Sequence, residues 1–417
     1  MNIYFTIILS IVIFDFLLDR WLDYLNMKNF SPQLPPEAEG IYDAEKYKKS
    51  MEYYKVNHRF GLLTSSLGFA VTVAVLLSGG FGWIDGIVRH YTENPVWMAI
   101  LFFSIIGIAS DILSMPFTIY QTFVIEEKFG FNKTTVKTFI LDKLKGYLLG
   151  AIIGGGLMAV IIIIYEKTGT NFWWMAWVVA AAFMMFATMF YASIILPLFN
   201  KLTPLPSSEL RTAIENYCSK VGFKLNNLFV MDGSKRSSKA NAFFSGLGSR
   251  KKIVLFDTLI EKHTTDELVA VLAHEIGHYK LKHTRKGLLI GLLQTGFMLF
   301  VLSLFLGNDE LAKALGAGQS SFHINITAFG ILFSPMSEII GILGNILSRK
   351  HEFEADNYAK TTFNGTFLAT ALKKLSTDNL SNLKPHPAYV FVHYSHPPLL
   401  QRLARLIILK ELRFVKV

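Results

Sequence analysis

Apolar runs set the pattern of this chain. Seven of them, at about 3–19, 61–84, 97–120, 147–165, 172–198, 286–306 and 322–347, approach the ~20 residues that a membrane-spanning helix needs. The first has no basic start and no small-residue cleavage site, and Asp15 interrupts it, so it is read as a retained span rather than a signal peptide. Two polar regions separate or follow these runs. In 199–285 the pattern predicts a polar helix over Ser207–Val221, strands over Asn227–Met231 and Lys252–Phe256, and a Gly- and Ser-rich turn over Gly233–Asn241. Thr264 followed by Glu267 is a capping-box pattern, which predicts the start of another helix. The region 348–417 reads as mostly helical, broken around Lys384–Pro387 and at His396–Pro398. The chain thus divides into spans one to five (1–198), a polar segment (199–285), spans six and seven (286–347) and a C-terminal polar segment (348–417).

Charge fixes the orientation of these spans. Arg20, Lys28, Lys46, Lys48, Lys49, Lys55 and Arg59 follow span one, and Lys128, Lys133, Lys137, Lys143 and Lys145 follow span three. Both polar regions are also basic, whereas the opposite loops carry Arg89, Lys167 and Lys313, one apiece. By the positive-inside rule every basic loop lies in the cytoplasm and the N-terminus lies outside. Composition agrees with a membrane protein: 52% of residues are hydrophobic and only 17% charged. The net charge of +10 comes with no nucleic-acid motif, and the lone Cys218 excludes an internal disulfide framework and a cysteine metal cluster.

The candidate chemistry begins at Val271–Lys280, which contains His274, Glu275 and His278. At about 100° per residue, two histidines four positions apart share one helical face and can reach one metal ion, and Gly277 beside them reads as room near that metal. Glu275 is turned away from that pair and is placed to take a proton from a water. Hydrolysis by zinc needs a third protein ligand and an open position. The acidic stretch after span seven offers Glu352 and Asp356 one turn apart, with Glu354 about 200° from Glu352. One carboxylate there would ligate and the next would accept the free ring N–H of a ligand histidine. Spacing alone leaves His351 and Glu354 open as ligands too. The helix expected to carry His274 and His278 also carries Lys280, Lys282 and Lys286, too polar for mid-bilayer, which sets aside intramembrane cleavage.

The set of His274-Glu-x-x-His278, Glu352-x-x-x-Asp356, Thr122–Asn132, Gly233–Ser238, Ile253–Leu259 and Ser395–Pro398 resembles the integral-membrane CAAX prenyl protease family of zinc metalloendopeptidases. The resemblance implies a mainly α, polytopic membrane protein with seven transmembrane helices around a water-filled chamber. A zincin-like cytoplasmic catalytic domain with a small β-sheet completes that fold. It implies one Zn2+ per chain held by His274, His278 and Glu352, with Glu275 as general base and Asp356 behind a ligand histidine. His396 matches an oxyanion-stabilising histidine, although on its residues alone a histidine before two prolines reads as a turn cap. Asn241 and Arg402 match residues grouped at the substrate. The acidic residue expected before that arginine is Gln401 here, which predicts the loss of a local ion pair. The implied substrate is a prenylated C-terminal CAAX peptide or protein, from which three residues are removed. The implied location is the endoplasmic reticulum membrane in a eukaryote or the inner membrane in a bacterium. A broad-specificity quality-control membrane protease, and a channel or transporter with incidental histidines, are the competing readings. Asp111 and Glu338, within or near spans three and seven, predict either a hydrated interior or paired charges. His58, His90, His263, His283, His323, His386 and His393 show no ligand spacing and are taken as ordinary.

Overall fold

The computed structural model describes residues 2–30, 33–34, 39–224, 227–246 and 251–407. Among these, Ala44–Leu77, Pro95–Glu126, Val136–Phe199 and His283–Phe305 are helical stretches long and apolar enough to cross a membrane. Phe322–Leu332 and the helix that begins at Ser334 make a fifth if they count as one crossing bent by 55°. The bend falls at Phe333, just before Pro335, whose ring cannot donate an N–H to the preceding turn.

The sequence pattern counts seven spans, and the structure differs from it in two places. Runs 147–165 and 172–198 belong to one 64-residue helical stretch, which as a straight rod would be on the order of 100 Å long. It is not straight, because Gly169 takes φ +56° and Gly155–Thr168 packs back against Phe172–Phe190. The helix Ile3–Lys28 contains Asp15, Asp19, Arg20 and Asp23 and is not among the apolar stretches. Large apolar side chains such as Leu63, Ile108, Ile112, Leu289 and Leu293 are exposed on the long helices, a surface suited to lipid. Inside this part, Trp177 donates its indole N–H to the Leu292 carbonyl at 2.8 Å, and Gly296 gives the indole room. Asp111 is a paired charge, bonded to Lys143 and Tyr147, whereas Glu338 is exposed.

The polar regions fold together beside these helices. Strands β1 (Leu202–Pro204), β2 (Leu228–Met231), β3 (Ala242–Ser245) and β4 (Lys252–Phe256) form one sheet in the order β1-β2-β4-β3. β2 and β4 are parallel, and β1 and β3 add antiparallel on either side. The predicted strands are the two central ones. The strand before the motif helix, β4, is therefore internal, and β1 and β3 are the edges among the described residues.

The motif helix, Thr265–Lys280, starts as its sequence signals. The Thr264 hydroxyl accepts from the Glu267 N–H at 3.4 Å, and the Glu267 carboxylate accepts from the Thr264 N–H at 2.9 Å. Lys374 anchors the same carboxylate at 2.7 Å. The helix is not amphipathic, however: Leu268 to His274 and then Ile276 and Gly277 are all buried. It runs through the middle of the core formed by the polar regions, against Glu209–Lys220, Gly365–Asp378, β3 and the Ser334–Ala359 helix.

Gly277 makes the last of these contacts possible. A Cβ there would lie 3.1 Å from the Tyr358 Cβ and 3.2 Å from the Ala355 Cα. Its small size serves a close helix crossing rather than space near a metal. Ser334–Ala359 is also continuous across the expected boundary at 347/348, so the rod that leaves the membrane part carries Glu352 directly to the motif helix.

Candidate metal and catalytic centre

Two elements supply the centre: the motif helix gives His274, Glu275 and His278, and the Ser334–Ala359 helix gives Glu352 and Asp356. The Nε2 atoms of His274 and His278 are 3.1 Å apart. Glu352 Oε1 lies 3.2 Å from His278 Nε2, and Glu352 Oε2 lies 3.4 Å from His274 Nε2. Donors about 2.0–2.1 Å from one tetrahedral zinc ion would stand about 3.3–3.4 Å apart, and these spacings, each taken to the nearer Glu352 oxygen, lie close to that. The buried Glu352 Oε2 has no hydrogen-bond partner among the described residues, as expected of an atom meant for a cation. The donor set of two imidazoles and a carboxylate also suits zinc chemically.

A neighbouring carboxylate turns the His274 ring the right way. His274 presents Nδ1 to Asp356 Oδ1 at 2.9 Å, which leaves Nε2 for the metal face. Burial disfavours charge on the His274 ring, but Asp356 and Glu352 outweigh it and push its pKa up to about 9. The pocket is thus built to hold positive charge. Burial likewise disfavours charge on Glu352, yet the His274 and His278 imidazoles and the Arg402 guanidinium beside it hold its carboxyl far below the usual range.

Arg402 is bound to the same cluster. Its Nε and Nη2 bond the two Asp356 oxygens at 2.8 and 2.6 Å, and its Nη1 lies 3.4 Å from Glu352 Oε2. Grouped at the substrate by resemblance, the arginine lines the cavity, but its planar fork is spent on Asp356. Gln401 is exposed and its neutrality does not leave Arg402 unpaired.

A cavity of about 400 Å³ opens in front of these groups. Glu275, His396 and Asn241 all line it, together with Ala242 and Phe243 of β3 and the apolar side chains of Val271, Leu368 and Leu372. Glu275 is half-buried, and desolvation raises its carboxyl pKa against the opposing pull of His274 and His278. His396 Nε2 lies 3.4 Å from Glu352 Oε1, and its ring is largely exposed at the mouth. The Asn241 side chain accepts from the Ala242 N–H at 2.8 Å, and its carbonyl accepts from the Phe256 N–H at 3.1 Å. These bonds set the start of β3.

Sequence reasoning passed over two features. His283, taken as ordinary, is buried with Nδ1 3.1 Å from His278 Nδ1. Glu354 does face away from Glu352, but it reaches His283 Nε2 at 2.9 Å. The edge strand β3 was also missed, because its pairing with β4 rather than its own residues makes it a strand.

Known proteins match this chain over nearly its whole length. A model described as the CAAX prenyl protease N-terminal region, with five membrane helices, matches residues 23–201. A model for peptidase family M48 matches residues 204–409. A CAAX prenyl protease 1 homolog of Oryza sativa subsp. japonica is 34% identical over 97% of both chains. CAAX prenyl protease 1 of Saccharomyces cerevisiae is 33% identical over 96% of this chain and 94% of its own. A Homo sapiens homolog is 30% identical over 96% and 95%. The crystal structure of S. mikatae Ste24p superposes with a TM-score of 0.92 at 32% identity, covering 97% of this chain and 99% of that one. The chain belongs to the integral-membrane CAAX prenyl protease family, and it is a membrane metallopeptidase of family M48.

Proposed function

We propose that this chain is a zinc endopeptidase that removes the C-terminal three residues from prenylated CAAX peptides or proteins. The observation that carries the reading is the convergence of His274, His278 and Glu352 beside Glu275, in one cavity walled by an open strand edge. The relatives named CAAX prenyl protease 1 point to the substrate class.

His274, His278 and Glu352 would hold one zinc ion, and Asp356 keeps the His274 ring in the ligating tautomer. Zinc bound there would supply a water of lowered pKa, toward ~7, and a Lewis acid for the scissile carbonyl. Glu275 removes the proton from the attacking water and returns it to the leaving amine nitrogen. His396, at the mouth, donates to the carbonyl oxygen as charge develops on it. The extended substrate adds to the edge of β3, with Asn241 at the start of that strand holding its backbone. Arg402 holds Asp356 and Glu352 in place rather than gripping substrate.

Seven crossings follow when the helices on either side of Gly169 are counted separately and Ile3–Lys28 is included with the bent pair. The basic loops then put the centre on the cytoplasmic side, at the endoplasmic reticulum membrane of a eukaryote or the inner membrane of a bacterium. A farnesylated CAAX peptide should be cut at least ~10-fold faster than its unprenylated twin, because the apolar chain adds burial of about 0.8 kcal/mol per CH₂. Equal initial rates for the pair would instead favour a broad-specificity protease that trims membrane proteins.

A further inference from the structure

We propose that His283 and Glu354 form a hydrogen-bonded chain behind His278 that fixes its tautomer and ring orientation for the metal. This rests on the zinc site proposed above and assigns the second ligand histidine the partner it otherwise lacks. His274 is served by the Asp356 carboxylate; among the described residues, none puts a carboxylate on the Nδ1 side of His278. It faces His283, whose side chain is 4% exposed. The contacts run His278 Nδ1 to His283 Nδ1 at 3.1 Å, then His283 Nε2 to Glu354 Oε2 at 2.9 Å.

One proton arrangement satisfies all of these atoms. The Glu354 carboxylate only accepts, so His283 carries its proton on Nε2. That leaves a lone pair on His283 Nδ1, which accepts the Nδ1–H of His278. His278 Nε2 is then a bare lone pair directed at the metal face. The His351 ring stacks on His283 with centroids 3.9 Å apart and planes within 10°, which holds the plane of the middle ring.

The backbone is arranged for this contact. Lys282 takes φ +62°, a left-handed conformation uncommon outside glycine. That turn ends the motif helix and starts His283–Phe305, so the first residue of an apolar, membrane-crossing helix folds back over His278. Glu354 sits on Ser334–Ala359, the rod that carries Glu352. The orientation of His278 is thereby tied to two helices that lead into the membrane part, and a shift between them would reach the metal through this chain.

His283, His351 and Glu354 also lie close enough together to suggest a second metal site. The same contacts argue against it. Both ring nitrogens of His283 are engaged, and parallel stacked rings point their lone pairs along parallel planes rather than at one point.

The test is zinc affinity of the full-length chain in detergent, measured by competition with a chelator. His283→Phe should weaken zinc binding about 10- to 100-fold, the usual effect of losing an outer partner of a ligand histidine. His283→Asn, whose amide oxygen falls near the lost Nδ1, should recover most of that loss; recovery separates a hydrogen-bonding role from ring packing. Glu354→Ala, at a half-exposed side chain, should weaken zinc by a smaller factor without emptying the space around His283. Wild-type affinity in His283→Phe, or unchanged affinity in Glu354→Ala, would overturn the proposal. So would an Asn variant as weak as the Phe variant, or two zinc ions per wild-type chain with one lost in Glu354→Ala. A wild-type chain that binds no zinc would refute the underlying site instead.

Discussion

Glu275→Gln should slow peptide cleavage by on the order of 10²–10⁴-fold, the contribution of a positioned general base, while zinc content stays at the wild-type level. The substitution keeps the shape of the side chain and removes only its ability to take a proton. Glu275 lines the cavity beside His274 but makes none of the contacts that join His274, His278 and Glu352. Metal retention together with lost turnover is therefore the specific signature. Burial raises the Glu275 carboxyl above its ordinary value of 4.5, against the opposing effect of the two imidazoles. The group acts as a base only when ionised, so activity is lost as pH falls through that raised value. The acid limb of kcat/KM should accordingly lie above pH 4.5. Turnover within a factor of two of wild type in Glu275→Gln would remove Glu275 from the mechanism.

Glu352→Ala should remove zinc as well as activity. Glu352 is buried and is the carboxylate shared by His274, His278 and the Nη1 of Arg402. Loss of a direct ligand should cost more than the 10- to 100-fold that outer partners do, so affinity should fall by more than about 100-fold. Stability should fall too. Removing one partner from a buried charged cluster costs about 3–5 kcal/mol, and here the lower end applies because Arg402 keeps both bonds to Asp356. Glu352→Gln preserves volume and separates the two effects. Chelator competition and thermal unfolding measure them, and a Glu352→Ala chain with a full zinc complement would show that the third ligand lies elsewhere.

The centre was legible where it depends on local periodicity. His274 and His278 share a face because 3.6 residues make a turn, and Thr264 with Glu267 signals the helix start by its own chemistry. The two central strands were legible from apolar runs of four or five residues. Long-range packing was not. Gly277 reads as room for a metal until Ala355 and Tyr358 are seen against it. His283 is five positions from His278, a spacing that points nowhere on a regular helix, and only the left-handed turn at Lys282 brings it back. Arg402 resembles a substrate residue by position, yet a buried guanidinium goes where two carboxylates meet, and that depends on a crossing 46 residues away. The edge strand escaped because hydrogen bonding to β4, not its own short sequence, makes it a strand. The geometry of the spans was hidden for the same reason: apolar length marks a helix, while Gly169 and Phe333 decide where the chain turns or bends.

The most direct measurement is a zinc titration of chelator-stripped protein, with cleavage of a farnesylated CAAX peptide followed by mass. The account predicts no cleavage in the stripped protein. Activity should then return linearly and level off at one zinc per chain, and the product should lack its last three residues. Cleavage without added metal, or a product cut at any other bond, would contradict it.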